Sequence, residues 1–188
     1  MSTAWRNGVI VLFIVSFLFV LNSNPVSALP TLPDPELCQV EPRTAENVDD
    51  LTSNSPPERS DADEIEWGGA RGASEEEVEA IADLFRSFFA CHNIGDYLRQ
   101  VALLTDDALA RGFVSEVKLE PPDELKIRFE GVYAAYMFAD GRLGAVVVGS
   151  TPAEFSPLQS IFFFLELVNG RWLIDDIPPS GVIVRSPT

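Results

Sequence analysis

Apolar residues fall into three successive patterns: an unbroken run near the start, a stripe at helical spacing from position 78, and alternation beyond about position 125. The run is Val9 to Leu21, thirteen residues with only Ser16 polar. Arg6 precedes it with no acid nearby, and Asn22-Ser23-Asn24-Pro25 and then Val26-Ser27-Ala28 follow it. These are the basic start, apolar stretch and small-residue cleavage site of a secretory signal peptide, removed after Ala28. The rival is an uncleaved anchor. Thirteen helical residues reach only about 20 Å, against an apolar membrane thickness of about 30 Å. The expected organisation is therefore a leader at 1–28, a linker at 29–73 and a folded domain at 74–188.

From Leu29 to Ala73 the chain has six prolines, and eleven acids against three arginines. So few apolar residues cannot offset chain entropy, and the segment reads as an acidic, Pro-rich disordered linker. At Ser74 the character changes. Ser74-Glu75-Glu76-Glu77 is a capping box, and the three glutamates suit the positive end of a helix dipole. Val78, Ile81, Ala82, Phe85, Phe88 and Phe89 then lie on one helical face, with His92 a turn beyond and Gly95 as the left-handed stop. Asp96 begins a second short helix with Tyr97, Leu98, Val101 and Leu104 inward. Thr105-Asp106-Asp107 begins a third, which carries Leu109 and ends near Phe113.

After Pro121-Pro122 the period is that of strands. Leu125 to Phe129 is one candidate. Val132–Ala139 and Arg142–Gly149 form a hairpin around Asp140-Gly141, and Ile161–Val168 and Arg171–Ile177 another around Asn169-Gly170. Both turns are read as two-residue types that need positive φ. Pro178-Pro179 ends the last full strand, and Val182–Val184 adds a short one. Counting back from the second turn sets Leu167 against Trp172, Leu165 against Ile174 and Phe163 against Asp176 on one side. Ile161 to Leu165 is apolar on both sides, so a twin subunit or the N-terminal segment is expected to cover the second face.

Charge narrows the partners. The net charge is −16, and losing Arg6 with the leader makes it −17. Such a surface repels phosphate backbones and anionic lipid, so neither nucleic acid nor, after cleavage, a membrane is an expected partner. Two cysteines in an exported chain read as a Cys38–Cys91 disulfide, worth about 4 kcal/mol in the chain-entropy account. The alternative is two thiols, Cys91 in the core and Cys38 in a mobile tail.

Phe88-Phe89-Ala90-Cys91-His92-Asn93-Ile94-Gly95-Asp96-Tyr97, running into Leu103-Leu104-Thr105-Asp106-Asp107, resembles a stretch of the NTF2-like, or SnoaL-like, superfamily. The family pattern is a helix, Asn-x-Gly-Asp, a second helix and a Thr-Asp-Asp turn. Asn169-Gly170-Arg171-Trp172-Leu173-Ile174-Asp175-Asp176-Ile177 is similar to the family's closing strand. The likeness covers Ser74 to Ile177. It implies an α+β, cystatin-like cone, with N-terminal helices packed on a curved antiparallel sheet. Cys38-Gln39-Val40-Glu41-Pro42-Arg43 ahead of such a domain resembles secreted bacterial members of unassigned function. The family holds isomerases, dehydratases, cyclases and hydrolases beside non-catalytic binding and dimerisation domains. Its enzymes set a carboxylate, often with a tyrosine or histidine, inside the apolar cone.

The residues that could do such chemistry here are few. By the hairpin register Asp176 joins Phe163, Trp172 and Ile174, where burial would raise its pKa toward that of a proton acceptor. His92, Tyr97, Tyr133 and Tyr136 are the polar groups that could reach the same cavity, with Phe163 and Trp172 as apolar lining. The plainer reading makes Asp176 a fraying strand end, His92 a group favoured by a helix C-terminus, and Asp96 an N-cap. Other chemistry is disfavoured. There is no G-x-S-x-G turn for a nucleophile. Cys91 and His92 are adjacent on a helix and diverge, so they do not chelate zinc. Asp61-Ala62-Asp63-Glu64 opens like a calcium loop, but Ile65 and Gly72 fall where ligands are needed. Gly68 to Gly72 follows no strand and cradles no phosphate. No cofactor and no metal is expected.

The reading is an exported, non-catalytic domain that binds a small apolar ligand or a protein, pairing as a homodimer through its sheet. Its alternative is a small cavity enzyme with Asp176 as general base. Intact-mass analysis of exported material is expected to show a chain beginning at Leu29, two protons lighter than its reduced form. Two free thiols in native material would refute the bridge.

Overall fold

In a computed structural model, the protein is described over residues 31–53, 69–112, 120–151 and 159–177. The leader, Asp61–Glu64, Phe113, Pro178-Pro179 and Val182–Val184 lie outside these. Among the described residues four α-helices, α1 Ala45–Ser53, α2 Glu75–Asn93, α3 Tyr97–Val101 and α4 Asp106–Ala110, accompany five strands. The strands are β1 Arg71–Gly72, β2 Arg128–Met137, β3 Leu143–Ser150, β4 Gln159–Val168 and β5 Arg171–Asp176. They form one open antiparallel sheet in chain order. The class is α+β. No helix among the described residues is long and apolar enough to cross a membrane.

Each helix starts where its cap residue stands. Ser74 accepts from the Glu77 amide, and Glu77 reaches back to the Ser74 amide. Asp96 accepts from Arg99 N–H, and Thr105 from Ala108 N–H. Gly95, at φ 71°, turns the chain between α2 and α3. A cap is worth about 1 kcal/mol, whereas burying one large apolar side chain is worth roughly 1.5–3 kcal/mol. Packing therefore decides where α2 lies. Its Ile81, Phe85, Phe88 and Phe89 are buried against Leu143, Ala145, Val147, Phe163, Leu165 and Ile174 of the sheet. The Phe85 and Phe163 rings are 4.6 Å apart.

The two hairpins differ. Asn169 and Gly170 both have positive φ, 52° and 78°, and close β4–β5 as a two-residue turn. The β2–β3 turn is instead three residues, 139–141. Phe138 N–H donates to Arg142 O, only Gly141 is left-handed, and Met137 pairs with Leu143. Asp140 keeps negative φ because its carboxylate accepts from the Arg142 amide and guanidinium, a type I turn followed by a glycine bulge. The pairings next to that turn move by one residue from the expected register, and two irregularities in β2 widen the offset toward Arg128. Leu125, expected in a strand, sits in a 3₁₀ turn at 55% exposure, and β2 begins at Arg128.

The outer face of the sheet carries Phe138, Phe162 and Phe164, buried together with Val146 and Ala70. Arg142 lies over the Phe164 ring at 5.0 Å. Gly144 stands under this cluster, where a Cβ would collide with the Phe162 and Phe138 rings. Ala70, from the N-terminal segment, thus contributes to the cover that the doubly apolar β4 calls for.

The expectation of a disordered linker is corrected over 31–53. This arm holds a 3₁₀ turn at Pro35–Leu37 and helix α1. It is fastened by the Cys38–Cys91 disulfide, by burial of Val48, and by Arg43. The Arg43 guanidinium donates to Val101 O, to Leu104 O at 2.8 Å, and to Asp106 at 2.6 Å. Arg43 N–H also donates to Leu98 O, and Arg99 returns a bond to Val40 O. Local composition carries no trace of these distant partners.

One carboxylate links the arm's end to α2. Glu77 accepts from both Arg71 guanidinium nitrogens, at 2.8 and 2.7 Å, and from Ser74 N–H at 2.7 Å. Arg71 first, and then the Ser74 amide, hold its pKa down to about 2 from the ordinary 4.5. The folded value lies below the unfolded one, so this contribution is complete above about pH 4.5 and gone once pH falls below about 2. Glu77→Gln is expected to cost about 1 kcal/mol at pH 7, and the gap from wild type in urea melts is expected to close across that acid window. A gap unchanged at low pH would contradict this assignment.

Candidate functional site

The sheet separates the two groups that the sequence sets together. His92 is half-buried in the last turn of α2, on the inner side of the sheet. Asp176 pairs with Phe164, which belongs to the outer aromatic cluster. The expected Phe163–Asp176 pairing fails because β5 is bulged: Leu165 still faces Ile174, but Phe164 then faces Asp176 and one residue is left over. That residue is Asp175.

A bulge turns two successive side chains toward the same side of a strand. Here it places Asp175 with Ile174 on the helical side, 1% exposed. Asp175 Oδ1 accepts from Thr105 Oγ1 at 2.8 Å. Arg111 Nη2 donates to Asp175 O at 2.6 Å and lies 3.4 Å from Oδ1. Thr105 acts twice, since its hydroxyl oxygen also accepts from Ala108 N–H at 3.0 Å and caps α4. The Thr105 amide donates to Ile174 O, and the Ile174 amide donates to Leu103 O, both at 2.9 Å. Arg111 Nε is buried without a hydrogen bond. The buried carboxylate of this fold is therefore Asp175. The sequence pattern hides it, because a register counted without a bulge assigns Asp175 to the opposite face. The adjacent acids Asp175-Asp176 were the only signal.

The expected cavity lining scatters. Tyr97 is 8% exposed within the core, and burial first, then the charge of Asp49, raises its phenol pKa. Phe163 is packed against Phe85 in the same core. Trp172 is half-buried at the rim of that core. Tyr136 pairs with Gly144 and Gly72, on the outer side of the sheet. Tyr133 sits in a β2 bulge and is 84% exposed. These tyrosines therefore occupy three different surroundings. Cys38 and Cys91 do meet, with Cα atoms 4.9 Å apart in the disulfide.

Chemically, Asp175 is a hydrogen-bond acceptor committed to a hydroxyl and a guanidinium. A general base must instead point a lone pair at a substrate proton. Among the described residues no cluster of histidine, cysteine and acids could hold a metal ion. Comparison with known proteins finds no matching family model, no matching curated protein and no matching solved structure.

The two aspartates should separate under mutation. Asp175→Ala leaves the Thr105 hydroxyl and the Arg111 guanidinium without their buried partner, and about 3–5 kcal/mol of stability is expected to be lost. Asp176→Ala, on the outer side, is expected to stay within about 0.5–1 kcal/mol. Chemical denaturation of both variants checks the pair, and the reverse order would mean that β5 is not bulged.

Proposed function

We propose that the chain is an exported, non-catalytic domain of NTF2-like, or SnoaL-like, type that works by binding a ligand or a protein. The observation that carries the reading is the state of the interior. Phe85, Leu143, Leu165 and Ile174 are fully buried between helices and sheet, and the one deeply buried carboxylate among the described residues is tied to Thr105 and Arg111. Three short-linked helices before an antiparallel meander support the NTF2-like class, as does the Thr105 turn bonded to the closing strand. The disulfide fits an address outside the cytoplasm.

The enzyme alternative needs a carboxylate, a histidine and a tyrosine around one substrate. Asp176 and His92 lie on opposite sides of the sheet, and Tyr133 faces solvent. A homodimer through the sheet also has a weak drive, because Phe138, Phe162 and Phe164 are already buried within one chain.

Incubation of the exported chain with ester, epoxide and ketone-isomerisation probes is expected to give no turnover above buffer. Screening apolar ligands by thermal shift is expected to find ones that raise Tm without being consumed. Turnover abolished by Asp176→Asn or His92→Gln, with unchanged melting, would overturn the reading in favour of the cavity enzyme.

A further inference from the structure

A cleft of about 340 Å³ opens at the surface between the middle of α2 and the β4–β5 turn. That is the lower end of the size range of small-molecule sites, about 300–1,000 Å³. Its apolar wall is Leu84, Leu103 and Trp172. Leu84 and Leu103 are buried in the core, so the wall rests on the packed frame rather than on a loop. Leu167, directly across from Trp172 on β4 and 52% exposed, extends the wall outward.

Three polar residues line the same cleft: Asp83, Ser87 and Arg171. Asp83 is paired with Arg86 at 2.6 Å, and Arg86 also holds Glu79. The Arg171 side chain has no hydrogen bond or ion pair among the described residues. Every other described arginine or lysine side chain except Arg128 holds a carboxylate. A chain of net charge −16 offers acids in abundance, yet the cation beside the apolar wall is unpaired. An unpaired guanidinium next to an indole fits an anion with an apolar body. A single guanidinium against so acidic a background favours one negative charge over two. A cationic ligand would meet Arg171 and find Asp83 already paired with Arg86.

We propose that this cleft binds a small monocarboxylate with an aromatic body, its carboxylate on Arg171 and its body against Trp172, Leu84 and Leu103, with Ser87 as a hydroxyl donor. The proposal rests on the reading of the chain as a non-catalytic binding domain and names that domain's site and ligand class.

The test follows the Trp172 indole N–H by NMR in the ¹⁵N-labelled exported, oxidised chain, with 2-naphthoate as probe and neutral 2-naphthamide as its isostere. A Trp67→Phe variant identifies the signal. Saturable movement with 2-naphthoate is expected, with affinity about tenfold weaker for 2-naphthamide and for 2-naphthoate on Arg171→Gln. Arg128→Gln, at the other arginine without an ion pair among the described residues, is expected to bind as wild type. Equal affinity for the two probes, no effect of Arg171→Gln, or no saturable movement at millimolar probe would each overturn the proposal. The comparison of the two probes needs no variant, so a misfolded Arg171→Gln chain does not blunt it. Absence of binding leaves the non-catalytic reading in place, whereas turnover in the assays above would remove that reading instead.

Discussion

The junction at Thr105 holds the two layers of this protein in register. Three groups converge on it: the connector from α3, the first turn of α4 and the bulged end of β5. The connector pairs with both backbone groups of Ile174, so the last strand of the sheet is not left as a bare edge. The Thr105 hydroxyl accepts from the α4 amide and donates to Asp175, satisfying a helix end and a buried carboxylate together. Without the bulge, Asp175 would pass to the outer face, and Thr105 and Arg111 would lose their buried acceptor. Each such loss costs about 1–3 kcal/mol. One extra residue in β5 therefore gives Thr105 and Arg111 their buried acceptor and separates Asp176 from the helices.

What the sequence reveals follows the range of the forces involved. Ser74, Asp96 and Thr105 cap helices within their own next turn, and the apolar stripe of α2 needs only helical geometry, so these are legible. The Asn169-Gly170 turn is legible for the same reason, since both residues supply the positive φ it requires. Asp140-Gly141 looks alike, but the bond from Asp140 to Arg142 favours a three-residue loop. The position of Asp175 is decided by Thr105 and Arg111, some sixty to seventy positions away. Nothing in the alternation of β5 announces it. Candidate chemistry assigned by counting from a turn is thus only as good as the assumption that the strand is regular.

The arm illustrates the opposite error. Its prolines and acids describe a segment that cannot fold by itself, and that inference is physically sound. It does not exclude folding against something else. The Cys38–Cys91 bond confines the arm near α2, and Arg43 then reaches the carbonyls that end α3. These contacts and the burial of Val48 work against the entropy cost of ordering the arm. Oxidation is part of the folding chemistry of this segment.

The scarcity of cations gives the charge pattern its meaning. Exposed ion pairs such as Arg86–Asp83 contribute little, about 0–1 kcal/mol. Arg43 and Arg111 are different, because their side chains are only 17% and 16% exposed and each also donates to backbone carbonyls. They join segments far apart in the chain, the arm to α4 and α4 to β5. An acidic chain that commits its buried arginines to such junctions keeps its surface anionic without loosening its frame. It also makes an arginine that serves no junction conspicuous: Arg171, beside a half-buried indole, has no evident role in holding the fold, and its placement is better understood in terms of what it meets from solution.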